Sequence, residues 1–216
     1  LQKLNELPIG GHWTRTLKII NNKIYVTIGS SCNVCEEKDS KRAAMIRCEI
    51  DGSNCEIYAR GLRNTVGFIE HRGKIIGTDN GRDELGEDYP PEEINIIEEG
   101  KDYGWPNCYG KQIHDTEYDK KTYAINPCLN TTPSLIDLPA HSAPLGLTVY
   151  KGNKFPEDYI EKLFVAYHGS WNREKPTGYK IVTVNLDTGE VKDFATGWLS
   201  TLLIKGRTVD IINYKE

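Results

Sequence analysis

Two short runs hold most of the reactive side chains: Pro139-Ala140-His141-Ser142-Ala143-Pro144 and His168-Gly169-Ser170-Trp171-Asn172-Arg173. Each gathers imidazole, hydroxyl, amide or guanidinium groups where an apolar stretch gives way to a loop. Gly61-Leu62-Arg63-Asn64 and Thr78-Asp79-Asn80-Gly81-Arg82-Asp83 have the same character. Strand ends suit ligand-facing groups, because a rigid scaffold positions them while the loop leaves them accessible. The pattern predicts several strand ends converging on one polar, arginine-lined site.

His12, in Gly10-Gly11-His12-Trp13-Thr14-Arg15, precedes the first strand signal. A lone loop histidine is ordinary, but imidazole titrates near working pH and can serve as a general base. Arg63, Arg82, Arg173 and Arg207 each follow a glycine or lie within a few residues of one. The guanidinium fork binds carboxylates and phosphates bidentately. Any one of these arginines alone reads as structural; four in similar contexts point to an anionic ligand. Asp88-Tyr89-Pro90-Pro91-Glu92-Glu93-Ile94-Asn95 leads into Tyr103-Gly104-Trp105-Pro106. Carboxylates followed by a rigid segment could hold a hard cation such as calcium through side-chain and carbonyl oxygens. No EF-hand spacing is present, and a solvated acidic loop is the rival reading.

The elements that must position these groups read as strands. Segments 16–20 and 23–28 form a hairpin across Asn21-Asn22, and 44–50 pairs with 56–59. Segments 66–70 and 74–77 meet across Arg72-Gly73, and later strands cover 147–150, 163–167, 179–185 and 191–195. Short, β-branched runs punctuated by Gly and Asp turns predict an all-β sandwich, barrel or propeller. Residues 101–140 are polar and read as a long excursion of the functional kind. A propeller blade needs about four strands and ~40–50 residues. The 216 residues therefore predict a single domain over 1–216 with roughly four blades. That is short for a large closed ring, so the sequence is expected to be partial at both ends. Val209-Asp210-Ile211-Ile212 reads as the start of a further strand, and open strand edges are expected to make the isolated chain prone to association.

Composition narrows the partners. Hydrophobic residues make up 38% of the chain, low for a helical core but usual where short strands each expose one face. Net charge is −4 with no block of like charges, which argues against nucleic acid and anionic membrane. No apolar run is long enough to span a bilayer. The chain starts at Leu1 rather than Met, read as a processed or cut start, so a missing signal peptide says nothing about location. Six cysteines fall as three plausible pairs: Cys32 with Cys35, Cys48 with Cys55 across a turn, and Cys108 with Cys128. Zinc is the alternative, but a single Cys-x-x-Cys is a weak metal signal and a thioredoxin-like role lacks its βαβ context. Paired cysteines imply an exported, periplasmic or extracellular protein.

Taken in order, nine motifs resemble the sorbosone dehydrogenase branch of the soluble quinoprotein glucose dehydrogenases. They are Gly11-His12-Trp13-Thr14-Arg15, the Ile28-to-Glu36 run with its Cys-Asn-Val-Cys, Gly61-Leu62-Arg63-Asn64, Thr78 to Asp83, Glu92-Glu93-Ile94-Asn95, Tyr103-Gly104-Trp105-Pro106, the two histidine runs above, and Gly206-Arg207-Thr208-Val209-Asp210. The resemblance covers about Gly10 to Ile211. It implies a six-bladed β-propeller binding pyrroloquinoline quinone (PQQ) and calcium on its axis, here represented by a partial chain. It implies oxidation of the anomeric carbon of an aldose to a lactone outside the cytoplasm, with electrons passed to an external quinone or cytochrome.

By the same resemblance, His12 is the catalytic base that takes the C1 hydroxyl proton. Arg63, Asn64, His168, Gly169, Ser170, Arg173 and Arg207 contact the cofactor. Glu93 and Tyr103, the latter by its carbonyl, hold calcium; carbonyls near Gly81 and Arg82 serve in other relatives. A tricarboxylate cofactor needs guanidinium partners, and a divalent cation beside a quinone carbonyl makes it more electrophilic. Three departures stand out. Gly11 occupies a position where some glucose-oxidising members have Asp, the family's early glutamine contact lies in blades absent here, and its late lysine has no match. The alternatives are a non-catalytic sugar- or cofactor-binding propeller and a calcium-dependent lactonase-type hydrolase. The hydrolase would show acidic ligands at several strand ends in place of arginines.

Overall fold

The computed structural model describes residues 6–201 and 203–214. Among them there is no α-helix; fourteen strands and two short 3-10 turns carry the chain. The strands are β1 Leu17–Ile20, β2 Lys23–Ile28, β3 Ala44–Glu49, β4 Glu56–Arg60, β5 Thr65–His71, β6 Lys74–Asp79 and β7 Glu92–Ile97. They continue as β8 Cys108–Tyr109, β9 Ile113–His114, β10 Ile136–Leu138, β11 Pro144–Val149, β12 Leu163–Tyr167, β13 Lys180–Val184 and β14 Val191–Ala195. Three antiparallel four-stranded sheets result, ordered β1-β2-β3-β4, β10-β7-β6-β5 and β11-β12-β13-β14, with β8 and β9 as a small separate hairpin.

Local chemistry explains the hairpins. Asn21 and Asn22 take φ of 48° and 60°, and Arg72 and Gly73 take 52° and 75°. Two consecutive left-handed residues make the tight turn whose twist matches that of paired strands. The sheets then stack through alternate faces. Tyr25, Met45 and Ala59 of the first sheet pack on Phe68, Ile75 and Ile97 of the second. The other side of the second sheet places Ile76, Ile94, Ile136 and Leu138 against Leu147, Val165 and Val182 of the third. Each fully buried aliphatic side chain contributes about 1.5–3 kcal/mol relative to exposure.

The first strand of each sheet meets its counterparts: β5 packs against both β1 and β11. Thr16 Oγ1 donates to Val66 O (2.5 Å), and Thr78 Oγ1 donates to Leu145 O (2.7 Å). Gly67 is required there, since a Cβ would lie 2.3 Å from Leu145 O. Sheets radiating from touching inner strands place their loops at common ends.

Several expectations change. The acidic run 88–95, read either as a cation site or as a solvated loop, divides: Asp88 and Tyr89 are exposed in a turn, while Glu92 and Glu93, only 5% and 8% exposed, open strand β7. Its Ile94, Asn95 and Ile97 take core positions and pull the carboxylates in with them. Roughly four blades become three four-stranded sheets among the described residues. The difference is residues 101–140, which supply the β8–β9 hairpin and then β10, the outer strand of the second sheet. Val209-Asp210-Ile211-Ile212 joins no sheet, although Val209 O accepts from Gly146 N at 2.9 Å. The cysteines form the three bridges Cys32–Cys35, Cys48–Cys55 and Cys108–Cys128, leaving no thiol for zinc.

Candidate functional site

Strand parity sets the charge layout. Successive residues of β7 face opposite sides of the sheet, so Glu92 points at the third sheet and Glu93 at the first. Glu92 accepts from Gly81 N (2.8 Å) and Ala143 N (3.1 Å), tying the turn after β6 to the loop before β11. Glu93 stands directly across from Asp79 on β6 and Asp137 on β10. It accepts from Gly110 N (2.6 Å) and Asn95 Nδ2 (2.9 Å), while Asp79 accepts from Asn64 N (2.9 Å) and Thr65 Oγ1 (2.8 Å). Like charges directly opposite one another destabilise a sheet. Burial, the largest cause in each case, pushes Glu92 up to about 8, Glu93 to about 7 and Asp79 to about 6. The neighbouring charge of Asp79 raises both glutamates further.

His12 packs at Gly29 near Asn64, with Arg63 the charge that acts on it most strongly. Its Nδ1 lies 3.0 Å from Ser30 O and 2.9 Å from Ser30 Oγ. A carbonyl only accepts, so Nδ1 carries the proton of the neutral ring and Nε2 keeps its lone pair. Burial, and next the positive charge of Arg63, hold the imidazole pKa below its usual value. Gly29 makes the approach possible: a Cβ there would lie 2.6 Å from both His12 Cβ and Asn64 Oδ1. Asn64 Oδ1 is buried and has no hydrogen-bond partner among the described residues.

Arg63 is 5% exposed and donates from Nε to Asn33 O (2.9 Å), from Nη2 to Asn33 Oδ1 (2.9 Å) and from Nη1 to Asn80 O (3.1 Å). All three acceptors are neutral, and among the described residues no carboxylate pairs directly with this buried guanidinium. A small cavity, with room for about one water-sized occupant, is lined by Arg63, Asp79, Arg82, Glu93, Tyr103 and Asp115. The Tyr103 hydroxyl is turned away from it, donating to Ile96 O and accepting from Glu98 N.

The third sheet supplies the other half. Arg207 donates to Gly169 O (2.6 Å) and Ser170 O (3.1 Å), its guanidinium 4.8 Å above the Tyr179 ring. His168 Nδ1 donates to Thr208 O at 3.3 Å, and burial lowers its pKa. Gly169 has φ of 98°, and a Cβ there would strike the Tyr179 ring at 2.5 Å. Ser170 Oγ accepts from Thr177 N at 3.1 Å. Asn172 Nδ2 donates to Asp83 Oδ1 at 3.1 Å and joins this run to the turn after β6.

The structure thus gathers His12, Arg63, Asn64, Glu93 and Tyr103 around the first and second sheets, and His168, Gly169, Ser170 and Arg207 at the third. Arg173 is held apart. Its Nη2 donates to Asp88 Oδ1 (2.5 Å) and its Nη1 to Ala140 O (3.2 Å), folding it onto the acidic turn 84–89.

Sequence reasoning passed over Asp79, Glu92 and Asp115 as single residues. The first two have a local signal, the two-residue period of a buried strand. Asp115 has none, because its bond to Arg82 spans 33 residues (Nε to Oδ2 2.5 Å, Nη2 to Oδ1 3.0 Å). That pair is nearly sealed from solvent and anchors the 101–140 segment to the site. Asp115→Ala is expected to cost about 3–5 kcal/mol by leaving a buried guanidinium unpaired, read as a shift in urea midpoint at unchanged slope. Among the described residues, Cys32, Cys35 and Glu37 are the one trio whose ligand atoms lie within 4.8 Å of one another, and its two sulfurs are bridged. Among the described residues the buried carboxylates therefore form no compact Asp/Glu/His/Cys trio, and a cation there would draw further oxygen ligands from main-chain, amide or water oxygens.

The profile of the TrAA12-like family matches residues 2–198, and the chain belongs to that family. An uncharacterised protein of Borreliella burgdorferi is 44% identical over 205 residues, covering 91% of this chain and 53% of that one. The PQQ-dependent pyranose dehydrogenase of Coprinopsis cinerea is 28% identical over 220 residues, covering 80% of this chain and 30% of that protein. The holo structure of its PQQ domain superposes with a TM-score of 0.66 at 25% identity, over 91% of this chain and 57% of that one. A calcium structure of a Trichoderma reesei family AA12 carbohydrate-active enzyme shares the fold, with a TM-score of 0.65 at 23% identity over 93% of this chain and 59% of that one. The chain spans about half the length of the Borreliella relative.

Proposed function

We propose that this chain is part of a PQQ- and calcium-dependent sugar dehydrogenase of the sorbosone dehydrogenase branch, oxidising the C1 hydroxyl of an aldose to the lactone. The observation that carries the reading is the neutral imidazole of His12 beside a buried Arg63 whose three acceptors among the described residues are all neutral. The Coprinopsis and Trichoderma likenesses support it.

The residues fit the cofactors. Asn64 Oδ1 is an orphaned buried acceptor, and Arg63 has N–H groups to spare beyond its three bonds. Asp79 and Glu93 face each other across β6 and β7 beside a small cavity, an arrangement a divalent cation would relieve. Arg63, Asn64, His168, Gly169, Ser170 and Arg207 would hold PQQ, with Arg173 at the rim. Glu93, with the Tyr103 carbonyl, would hold calcium. When bound, PQQ supplies the two-electron acceptor for the hydride of C1. His12 Nε2 accepts the hydroxyl proton, and its Nδ1–H stays on Ser30 to fix the ring. Arg63 and Arg207 contribute positive charge toward an anionic ligand.

The three sheets are read as consecutive blades of a single propeller domain that needs six for closure. Leu17 and Ile19 on β1 are 54% and 62% exposed, and Ile212 beside the outer face of the third sheet is 73% exposed. Such apolar surface fits neighbouring blades. Three disulfides support a periplasmic or extracellular site of action, with an external quinone or cytochrome as electron acceptor.

Dye-linked oxidation of an aldose panel by the intact protein, with and without PQQ and calcium, tests the reading. Turnover that requires both additions supports it. Tight PQQ binding without turnover on any sugar would favour a binding propeller, and no PQQ binding would refute the assignment.

A further inference from the structure

Asn33 lies between the bridged cysteines Cys32 and Cys35, in the loop after β2. Its side chain pairs in both senses with the backbone of Asp83: Oδ1 accepts from Asp83 N (2.8 Å) and Nδ2 donates to Asp83 O (3.0 Å). The same Oδ1 accepts from Arg63 Nη2 (2.9 Å), and the Asn33 carbonyl accepts from Arg63 Nε (2.9 Å). Asp83 in turn receives Asn172 Nδ2 at 3.1 Å. One residue of the first sheet therefore grips an arginine at the start of the second sheet, and through Asp83 connects to the third.

Two features of this arrangement go beyond packing. The loop is closed by its own disulfide, which restricts the backbone that would otherwise have to be ordered for every bond Asn33 makes. The acceptors offered to Arg63 are also neutral. An aspartate would match the shape of Asn33 and still accept from Arg63, but it would compensate the guanidinium charge and lose the donor to Asp83 O.

We propose that Asn33, clamped by the Cys32–Cys35 bridge, is the positioning residue that aims Arg63 and the Asp83 turn while leaving the Arg63 charge available to an acidic ligand. The ligand part of this rests on the reading that Arg63 faces PQQ. The positional part does not.

The test uses the intact apoprotein and its Asn33→Ala, Asn33→Asp and Cys32→Ser/Cys35→Ser variants. Hydrogen exchange at the Asp83 amide is expected to rise about tenfold or more in the alanine and double-serine variants, the loss of roughly one hydrogen bond. PQQ affinity, read by fluorescence titration, is expected to fall about tenfold in Asn33→Ala and further in Asn33→Asp, with no added loss when Arg63→Ala is already present. If Asn33→Ala fails to fold, Asn33→Asp, of equal volume, carries the affinity arm and the double-serine variant carries the exchange arm. Unchanged Asp83 exchange, or an Asn33→Asp protein that binds PQQ as tightly as wild type, would overturn the proposal. A wild-type protein that binds no PQQ would instead overturn the cofactor reading, and Asp83 exchange would still decide whether Asn33 sets the turn.

Discussion

Replacing His12 with alanine is expected to lower turnover by about 10²–10⁴ while PQQ affinity stays within a few-fold of wild type. The imidazole is placed to move a proton and not to hold an anion. Its Nδ1–H is committed to Ser30, its Nε2 is the open acceptor, and its pKa is held down by burial and then by Arg63. A depressed pKa keeps the base in its working form below the ordinary histidine range. The rate should therefore be flat through neutrality and fall only as pH drops below about 6.5. Arg63→Ala removes a charge that depresses this pKa and should move the acid limb to higher pH. Single-turnover reduction of bound PQQ across pH 5–8 reads both effects. An alanine variant that turns over at the wild-type rate would remove His12 from the mechanism.

Chelating divalent cations is expected to make stability fall steeply as pH rises. Asp79, Glu93 and Glu92 have folded-state pKa values of about 6, 7 and 8, each raised chiefly by burial above the ordinary carboxylate range. Between the unfolded and folded values the native state holds a proton that the unfolded chain has released. Stability is then fully present below about pH 4 and is lost as pH climbs through 6, 7 and 8. A tenfold difference in proton affinity between the folded and unfolded chain is worth ~1.4 kcal/mol, and three carboxyls raised together make the effect large. A cation between Asp79 and Glu93 reverses the balance by favouring their ionised forms. Melting temperatures from pH 4.5 to 8.5 should decline in chelator and level out in calcium. A flat profile in chelator would mean the carboxylates ionise without cost. A decline that calcium does not correct would place the ion elsewhere.

The acidic run shows where sequence reading reaches its limit. Glu92-Glu93 beside Pro90-Pro91 carries the composition of a solvated turn, and the cation reading of the same run rested on carboxylates followed by a rigid segment; neither signal says that the carboxylates are buried. In the fold, Ile94 and Ile97 are claimed by cores on opposite faces of the second sheet. Once they are placed, parity sends Glu93 toward Asp79 and Glu92 toward Ala143. Apolar burial on two faces outweighs the preference of two carboxylates for water, and the cost is partly offset by four donors.

What the amino-acid order determined alone is what depends on near neighbours. Asn21-Asn22 and Arg72-Gly73 make turns because those residues tolerate left-handed backbone, and alternating β-branched runs beside them pair as strands. The cysteine spacings already matched the bridges that formed. Tertiary structure alone decided which charges meet. Arg63, Arg82, Arg173 and Arg207 stand in similar sequence contexts, yet one is held by neutral oxygens, one is sealed against Asp115, one is drawn to Asp88, and one is stacked on Tyr179. Each partner comes from a segment remote in the chain, brought close by the register of strands and the stacking of sheets. A guanidinium's role is set by the acceptors within reach, and local sequence does not specify them.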